Sequence, residues 1–591
     1  MKQKLELTWI GKEKRPKLEP RIFLEDREKS FHAGQRVTEN DIFENRLIHG
    51  DNLLALKALE QEFTGKVKCV YIDPPFNTQQ AFEHYDDGLE HSIWLGLMRD
   101  RLSSLRNLMA DDGTIFVHID DNELGYLIVI MDEIFGRPNR ISVVTFKQGA
   151  ATGHKSINPG VVSTSNFILI YAKNKTAWNP HRIFTARVAR DKRYGQYILN
   201  FEDDYRSWKF VTLIQAFAGS LGQPERGLKK VLGDEYEDLL SEFVLQNAKR
   251  VVRLARPDYN AVSNEARTMI DQSKNNSGEV LLLKRDGYSS MYFVNGERIL
   301  FYSDKLKLID GELVAGEPLT SIWDDLLSNN LHNEGGIEFP KGKKPEALIK
   351  RCLDLCTCQG DLVLDSFGGS GTTGAVAHKM GRRWIMIELR DHCDSHIIPR
   401  MKRVIDGLDS SGVTKAVNWK GGGGFRYYHL APSLLEKDRW GNWVINREYN
   451  PAMLTEALCK LEGFTCAPSE TVWWQHGYST ERDFIYITTQ NISSEQLQSL
   501  SEEVGEGSSL LVLCSAWRGV DAAEAGKRWP NLTLKKIPKV VLSRCEWGHD
   551  DYSLNVQNLP MAQPDPEPAP TAKKKVSVAS GQASLFGEDN Q

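Results

Sequence analysis

The stretch Val67-Lys-Cys-Val-Tyr-Ile-Asp-Pro-Pro-Phe76 joins a short apolar run to an acidic, proline-rich turn. Six residues rich in valine, isoleucine and tyrosine are typical of a buried strand. The segments that follow alternate between helix patterns (94–109 and 124–135) and strand patterns (114–119 and 166–171). Strands separated by helices of this length predict an α/β fold with a doubly wound parallel sheet, covered on both faces.

The same alternation returns later in the chain. Residues 345–356 and 371–380 have helical spacing, and residues 362–365 and 384–389 have strand patterns. Between 181 and 320 the alternation gives way to polar helices, basic clusters and a hairpin pattern around 279–301. An irregular insert that interrupts one sheet is therefore the simplest architecture.

The C-terminal third predicts a smaller α/β domain. Four consecutive glycines at 421–424 predict a flexible break, and strands at 484–488 and 510–513 flank a helix at 494–504. After residue 558 the composition predicts disorder, because it offers little apolar surface to bury. The predicted organisation is 1–45 (N-terminal arm), 46–180 and 321–430 (the two halves of the sheet), 181–320 (insert), 431–560 (C-terminal domain) and 561–591 (disordered tail).

The composition excludes several classes of protein. The chain has 591 residues, 41% of them hydrophobic, and a net charge of −5, which neither favours nor excludes nucleic acid. It has no run of about 18 apolar residues and no secretory signal, so no membrane contact is predicted. Nine scattered cysteines favour a reducing cytoplasm. Buried thiols explain Cys352, Cys356, Cys358 and Cys393 better than zinc does, so no metal is predicted.

The first candidate site is the turn that follows residue 72. The Asp73 carboxylate and the Pro74 carbonyl are two acceptors, and an exocyclic amine presents two N–H donors to such a pair. Pro75 removes a further donor, and Phe76 offers a flat face on which an extruded base could stack. A plain surface turn is the alternative interpretation.

The second candidate site is a glycine-rich turn that leads from a strand into a helix. Its glycines let the backbone approach a ligand closely, and an acidic residue that ends the next strand is placed to bind a ribose. The spacing departs from Gly-x-Gly-x-x-Gly, which favours S-adenosylmethionine over a nicotinamide or flavin cofactor. The residues concerned are Asp365, Phe367, Gly369, Gly371, Thr372 and Glu388.

The order of these two motifs around the insert resembles the β-class DNA amino-methyltransferases. Within that class, residues 419–428 and the segment around 514–519 are similar to the modification subunits of type III restriction-modification systems. The resemblance covers roughly residues 45–550. It implies a Rossmann-like methyltransferase sheet interrupted by a target-recognition insert. It also implies a site-specific adenine-N6 methyltransferase that flips its base and transfers the methyl group directly, as part of a restriction or phage-defence system. Aspartate at the head of the catalytic motif favours adenine, because cytosine-N4 enzymes more often carry serine there.

The resemblance assigns further residues to the cofactor site. Asp51 matches the acidic residue near the cofactor's adenine, although a helix N-cap before Leu53 is the alternative. Phe339, Lys341 and Pro345 match the segment that closes over the methionine end. Residues 342 and 343 interrupt the usual short spacing of that segment.

Two other features point to partners. Lys249, Arg250, Arg253 and Arg256 concentrate cations at helical spacing and predict a face that grips the phosphates of double-stranded DNA, with a solvated, acid-paired helix face as the alternative. Residues 147–155 predict a mobile loop beside the flipped base. In the tail, Gln582, Leu585 and Phe586 resemble the peptide with which bacterial proteins dock on the sliding clamp, with an inert tail as the alternative.

Other functions stay open at this stage. A non-catalytic DNA-specificity subunit, a cytosine-N4 enzyme and an RNA methyltransferase are the alternatives to the adenine enzyme. By resemblance, the C-terminal domain predicts a homodimer or the binding of a helicase-nuclease restriction subunit. The expected location is the bacterial cytoplasm, in association with the nucleoid.

Overall fold

A computed structural model describes residues 6–76, 91–149, 160–186, 189–285, 287–309, 311–326, 331–339, 342–537, 539 and 541–552. In the N-terminal part, strands alternate with helices much as the pattern predicts. The elements are β1 (Phe23–His32), β2 (Asn45–His49), α1 (Asn52–Phe63), β3 (Val67–Ile72), α2 (His91–Leu108), β4 (Met109–Ile119), α3 (Leu124–Met131), β5 (Arg140–Lys147) and β6 (Ser165–Ala172).

The insert consists of short strands and helices. Its elements are β7 (Phe184–Ala186), β8 (Gln196–Ile198), β9 (Phe210–Thr212), α4 (Leu213–Ser220), α5 (Leu228–Leu232), α6 (Tyr236–Gln246), β10 (Val251–Ala255), α7 (Asn264–Asn275), β11 (Leu281–Arg285), β12 (Tyr288–Val294), β13 (Glu297–Phe301), β14 (Leu306–Ile309) and β15 (Glu312–Pro318). The hairpin pattern around 279–301 is confirmed, because β11, β12 and β13 pair antiparallel in sequence.

The chain then returns to the central sheet and goes on to the C-terminal domain. The sheet elements are β16 (Ile322–Trp323), α8 (Glu346–Cys356), β17 (Leu362–Asp365), α9 (Thr372–Lys379), β18 (Arg383–Glu388), α10 (Ile398–Ile405) and β19 (Gly424–Leu430). The later elements are β20 (Leu435–Lys437), β21 (Trp443–Ile445), α11 (Pro451–Glu462), β22 (Thr465–Cys466), β23 (Gly477–Tyr478), β24 (Asp483–Ile487), β25 (Asn491–Ile492), α12 (Ser494–Val504), β26 (Ser509–Cys514), β27 (Ala516–Trp517), α13 (Ala522–Arg528) and β28 (Leu532–Lys536).

The central sheet has ten strands within the described residues, in the order β1-β19-β2-β18-β17-β3-β4-β6-β5-β16. Its middle is parallel, from β19 to β4. The predicted parallel sheet is confirmed in this middle part, whereas β6 runs antiparallel to both β4 and β5, and β1 runs antiparallel to β19. Antiparallel strands at the edges of an otherwise parallel sheet are common in doubly wound folds.

Helices cover both faces of this sheet, as predicted. On β3, Cys69 and Tyr71 pack with residues of α8, α9 and α10, whereas Val70 and Ile72 pack with residues of α1, α2 and α3. This alternation follows from the pleat, which directs successive side chains to opposite faces. A strand buried on both sides must be apolar throughout, and that explains the continuous apolar run in the sequence.

Two predictions at the margins of the sheet are wrong. The predicted N-terminal arm contains β1, which extends the sheet by pairing with β19. The glycines 421–424 are buried and lead directly into β19, so they are not a flexible break. A Cβ atom on Gly421 would lie 2.8 Å from the Ile405 carbonyl oxygen, and one on Gly423 would lie 2.6 Å from the Ile42 carbonyl oxygen. Close packing of the backbone explains this run of glycines.

The small C-terminal α/β unit has the predicted strands and helix. Strands β24, β26 and β28 are parallel, and α12 and α13 connect them. Helix α12 begins at a capping box, in which the Ser493 hydroxyl accepts from the Gln496 N–H and the Gln496 side chain accepts from the Ser493 N–H. The described helices include none that is long and apolar enough to cross a membrane.

Candidate active site

The two predicted turns lie at one edge of the sheet. Asp73 follows β3 and the glycine-rich turn follows β17, and these strands are parallel neighbours in which Val363 pairs with Cys69 and Leu364 with Val70. The carboxyl ends of adjacent parallel strands meet at the same edge, where ligands bind in open α/β sheets. The expectation that the two turns lie together at one edge of the sheet is therefore confirmed, and a shared pocket between them stays a prediction.

One carboxylate oxygen of Asp73 forms an ion pair, and the other has no hydrogen-bond partner among the described residues. Its Oδ2 lies 2.5 Å from Nζ of Lys344, the residue that precedes Pro345. Its Oδ1 is buried and accepts no hydrogen bond from any described residue. Burial raises the pKa of the Asp73 carboxyl above its ordinary value, and the Lys344 charge opposes that shift. A buried, unpaired acceptor is costly unless a ligand donates to it, so Oδ1 is where a donor group would bind.

Neighbouring side chains fix the rest of this turn, Pro75 and Phe76. Trp94 Nε1 donates to the Pro75 carbonyl oxygen at 2.8 Å, which fixes the Pro-Pro backbone. The Phe76 ring lies beside the His118 ring, with centroids 5.8 Å apart and planes tilted by 31°. The Lys344 Nζ lies 5.0 Å from the Phe76 centroid. One cation therefore touches both Asp73 and Phe76.

His118 supports this pocket and was not predicted. Its Nδ1 lies 3.0 Å from the Tyr71 hydroxyl and its Nε2 lies 3.1 Å from Nδ2 of Asn166. Burial, assisted by the Lys344 charge, lowers the pKa of His118 well below its usual value, so the imidazole is neutral. The available signal was a lone polar residue inside the apolar run of β4, next to the strand that carries the catalytic motif.

The glycine-rich turn is tied to the next strand. Glu388 at the end of β18 accepts from the Gly369 N–H at 2.7 Å and from the Arg390 N–H at 3.0 Å. A carboxylate has about four acceptor positions, so Glu388 keeps capacity for a ribose hydroxyl. Asp365 accepts from the Phe367 N–H at 2.9 Å. These bonds place the backbone of the turn next to the crevice.

Three carboxylates therefore meet at the ends of β3, β17 and β18: Asp365 and Glu388 are buried, and the Asp73 side chain is 21% exposed. Burial raises the pKa of Asp365 to about 8, and the charges of Asp73 and Glu388 add to the rise although the Thr373 hydroxyl opposes it. Burial also raises the pKa of Glu388. Several negative charges this close together repel one another, so ionising all three carboxyl groups is unfavourable. A cationic ligand would reduce that repulsion. A nucleoside that carries a sulfonium and an ammonium group fits this set of residues.

A buried ionic network braces the same turn and was also not predicted. Arg400 on α10 donates to the Ser370 carbonyl and to Oγ1 of Thr372, at 3.2 and 2.8 Å. Arg400 also pairs with Glu346 at the start of α8. Lys379 joins Glu346 to Asp409 at 2.8 and 2.7 Å, and all these charged side chains are at most 2% exposed. Charged residues at core positions of the helices were the signal for this network.

Asp51 acts as the N-cap of α1, the alternative interpretation of that residue. Its Oδ1 accepts from the N–H groups of Leu53 and Leu54. Its Oδ2 receives Arg101 at 3.2 Å and the Tyr552 N–H at 3.0 Å. Asp51 is 1% exposed, at the end of the strand next to β18. A contact between Asp51 and the cofactor's adenine stays a prediction.

The segment before α8 is described only in part. The Phe339 ring packs edge-on against His392 and His396, with centroids 5.1 and 5.3 Å away. Pro345 is the N-cap residue of α8, and its carbonyl accepts from the Leu348 N–H. Lys341 lies outside the described residues. Lys344 was not predicted, because it lies between Lys341 and Pro345, the two positions that match the family segment.

The cations at 249–256 do not lie on a helix. Residues 251–255 form β10, which pairs with β8 and β13, and alternate strand side chains point to opposite faces. The prediction of one helical cationic face is therefore wrong. Arg250 pairs with Glu202 and Arg256 pairs with Glu297, each at 3.2 Å, Arg253 stacks on the Tyr194 ring, and Lys249 is exposed.

Three other predictions concern parts that are only partly described. Residues 150–155 of the predicted loop and the clamp-like residues Gln582, Leu585 and Phe586 lie outside the described residues. Among the residues that are described, no group of three or more His, Cys, Asp or Glu side chains could hold a metal ion. Cys352, Cys356 and Cys393 are buried thiols, and Cys358 is exposed.

The family model described as "DNA methylase" matches residues 67–397, which is more than half of the chain. The chain therefore belongs to the DNA methylase family. That match includes both turns of the crevice and the whole insert between them.

Within this family the chain is similar to modification subunits. It is 36% identical over 420 residues to the "Probable type III restriction-modification enzyme HindVI Mod subunit" of Haemophilus influenzae, covering 67% of this chain but only 55% of that protein. It is 25% identical over 593 residues to the "Type III restriction-modification enzyme EcoP15I Mod subunit" of Escherichia coli, covering 85% of each. It is 28% identical to the EcoPI Mod subunit of Escherichia phage P1, covering 64% of this chain and 61% of that protein.

Proposed function

We propose that the chain is a site-specific DNA methyltransferase that moves the methyl group of S-adenosylmethionine to the N6 amino group of an adenine flipped out of the duplex. The observation that carries this proposal is the unpaired Oδ1 of Asp73, at the sheet edge that also holds the glycine-rich turn. Membership of the DNA methylase family and the similarity to type III modification subunits support it.

The chain's own residues would act by positioning. Asp73 Oδ1 and the Pro74 carbonyl would each accept one N–H of the target amine, which draws its lone pair out of the ring. Phe76 would stack on the base. S-adenosylmethionine would supply a methyl group on a sulfonium, whose sulfur leaves as a neutral thioether, and the methylated amine would lose one N–H proton to solvent. Asp73 would also stabilise the positive charge that develops on the amine, so orientation and electrostatics account for the rate.

The cofactor would lie along the glycine-rich turn. We assign Glu388 to its ribose, and the backbone of Gly369, Gly371 and Thr372 to close contact with its body. Asp51 is assigned to its adenine, and Phe339, Lys341 and Pro345 to its methionine end. Asp365 and Phe367 would hold the shape of the turn. These assignments rest on the family resemblance and on the hydrogen bonds that already fix the turn.

The test of the catalytic assignment is Asp73→Ala. We expect methyl transfer to fall below detection, while binding of S-adenosylmethionine by calorimetry and binding of DNA by gel shift are retained, because the change removes an acceptor and not the turn. Asp121→Ala, at an exposed position, is the control. Near-normal turnover of the Asp73 variant would contradict the proposal.

The product identifies the base. We expect mass spectrometry of digested substrate to find N6-methyladenine in duplex DNA and no N4-methylcytosine. The family description alone covers methylation of DNA without naming the base, so this measurement separates the two chemistries. RNA of the same sequence is the control for the alternative substrate.

The partners are proposals of the same kind. The insert, residues 181–320, would read the DNA sequence. If Lys249, Arg250, Arg253 and Arg256 contact phosphates, then Arg250→Ala with Arg253→Ala should reduce the salt dependence of DNA binding. The chain would form a homodimer and bind a helicase-nuclease restriction subunit in the bacterial cytoplasm. A peptide of residues 576–591 should bind the sliding clamp, and no binding at high micromolar concentration would exclude that partner.

A further inference from the structure

Lys344 approaches the candidate active site from the segment before α8. Its side chain is 11% exposed, and its ammonium lies 2.5 Å from Oδ2 of Asp73 and 5.0 Å from the centre of the Phe76 ring. Neither the catalytic motif nor the glycine-rich turn includes this lysine. It reaches the acceptor residues from an element that is distant in sequence.

Apart from Lys344, the surroundings of Asp73 disfavour a negative charge on its carboxyl group. Burial disfavours the carboxylate, and Lys344 is the group that opposes this effect. Tyr71 faces the carboxyl from β3, neutral His118 lies beside Phe76 on β4, and the Asp365 carboxyl faces it from β17. Of these groups only Lys344 carries a positive charge.

We infer that Lys344 is a positioning residue, which holds Asp73 in its ionised form with Oδ2 engaged and Oδ1 turned toward the target amine. This inference rests on the proposed function. A carboxylic acid could turn a hydroxyl toward the amine and would lose its value as an acceptor, whereas the paired carboxylate keeps one oxygen free. The contact with Phe76 holds the acceptor and the stacking ring in one arrangement.

A different role is conceivable for the same geometry and makes the opposite prediction. The ammonium could occupy the place of the target amine and have to leave before the base enters. Removing it would then lower the KM for DNA and leave the rate of methyl transfer unchanged or faster. A positioning role instead lowers the rate at saturating DNA and makes it depend on pH.

The experiment compares Lys344→Met and Lys344→Arg with the wild-type chain. The single-turnover rate of methylation is measured at saturating S-adenosylmethionine and DNA between pH 5.5 and pH 9. An opposite charge within hydrogen-bonding distance lowers a carboxyl pKa by about 1–3 units, so the acid limb of K344M should move up by about that much. At any pH that lies on the acid limb of both chains, the rate should fall about tenfold or more, because one pKa unit changes the ionised fraction there tenfold. K344R should keep the wild-type limb, and KM for DNA should change little.

The test includes a control variant and a rescue experiment. Lys350→Met, an exposed-face lysine of α8 that pairs with Asp354, is the matched control and should behave as wild type. If K344M folds poorly, K344A with added ethylammonium replaces it, and the amine should restore the rate. A wild-type pH profile in K344M, or a lowered KM with an unchanged rate, would overturn the inference. Loss of activity in D73A together with such a result would leave the proposed function intact.

Discussion

Asp365 lies where burial and two neighbouring carboxylates oppose its negative charge, which raises its pKa from 3.8 to about 8. A raised folded-state pKa stabilises the fold at low pH, and this contribution is lost as the pH rises through about 8. A cationic cofactor favours the carboxylate, so we expect S-adenosylmethionine to bind more tightly as the pH rises from 6 to 8. Each binding event should release a fraction of a proton.

Calorimetry at pH 7, in two buffers with different ionisation enthalpies, measures that release. Asp365→Asn should bind without it, since the amide does not titrate. Identical binding enthalpies in both buffers for the wild-type chain would contradict the prediction.

Gly371 needs both its backbone angle and its missing side chain. Its φ is +74°, and a Cβ atom would lie 3.0 Å from Cγ2 of Ile397. Gly65 has a φ of +73° and open space around it. Both Gly→Ala variants should lose about 1–2 kcal/mol of stability from the left-handed backbone, and only Gly371→Ala should also weaken cofactor binding. Thermal melting and calorimetry measure the two effects, and equal cofactor affinity in both variants would refute the assignment of this turn.

At the scale of elements, Glu346 joins three helices. It pairs with Arg400 of α10 and Lys379 of α9, and all three side chains are fully buried. Glu346→Gln removes the carboxylate that pairs with Arg400 and one of the two carboxylates that pair with Lys379, which costs about 3–5 kcal/mol. Denaturant unfolding measures this loss. Glu456→Gln, which breaks the 3.7 Å pair between Lys460 and the 43% exposed Glu456 carboxylate, should change stability by less than about 0.5 kcal/mol. Equal losses would argue against the bracing role.

Elements with a clear period could be predicted from the sequence, and those with competing periods could not. The continuous apolar run of β3 and the capping residues of α12 specify their elements locally. Residues 249–256 carry cations spaced as on a helix, but Val251 and Val252 are β-branched and pair with strands on both sides. Tertiary pairing decided that segment, and no local pattern reports such pairing.

At the scale of the whole molecule, residues 549–552 contact the N-terminal part of the chain at two places. Arg21 donates to the His549 carbonyl at 2.9 Å, and the Tyr552 N–H donates to Asp51 beside the candidate cofactor site. Because the composition after residue 558 predicts disorder, a chain that ends at residue 553 should keep wild-type stability and cofactor affinity. A chain that ends at residue 546 should melt at a lower temperature and bind S-adenosylmethionine more weakly. Equal melting temperatures and equal cofactor affinities of the two truncated chains would show that these contacts contribute to neither stability nor cofactor binding.

Contacts between residues that are far apart in sequence also decide which site residues could be predicted. Asp73 and the glycine-rich turn lie in motifs whose chemistry is local, and they are found from sequence. Lys344, His118 and Arg400 matter because of what they face across the fold, and their own neighbours in sequence give little sign of it.

The order of strands in the sheet also determines when each strand can pair during synthesis of the chain. The strand that ends at Asp73 has as its neighbour a strand that leaves the ribosome about 290 residues later, and the first strand of the sheet waits longer still for β19. Since such pairings must await the second segment, a polypeptide interrupted in translation before residue 362 has an acceptor turn and no opposing glycine turn. A chain whose synthesis stops early therefore lacks one of the two turns on which the proposed methyl transfer depends.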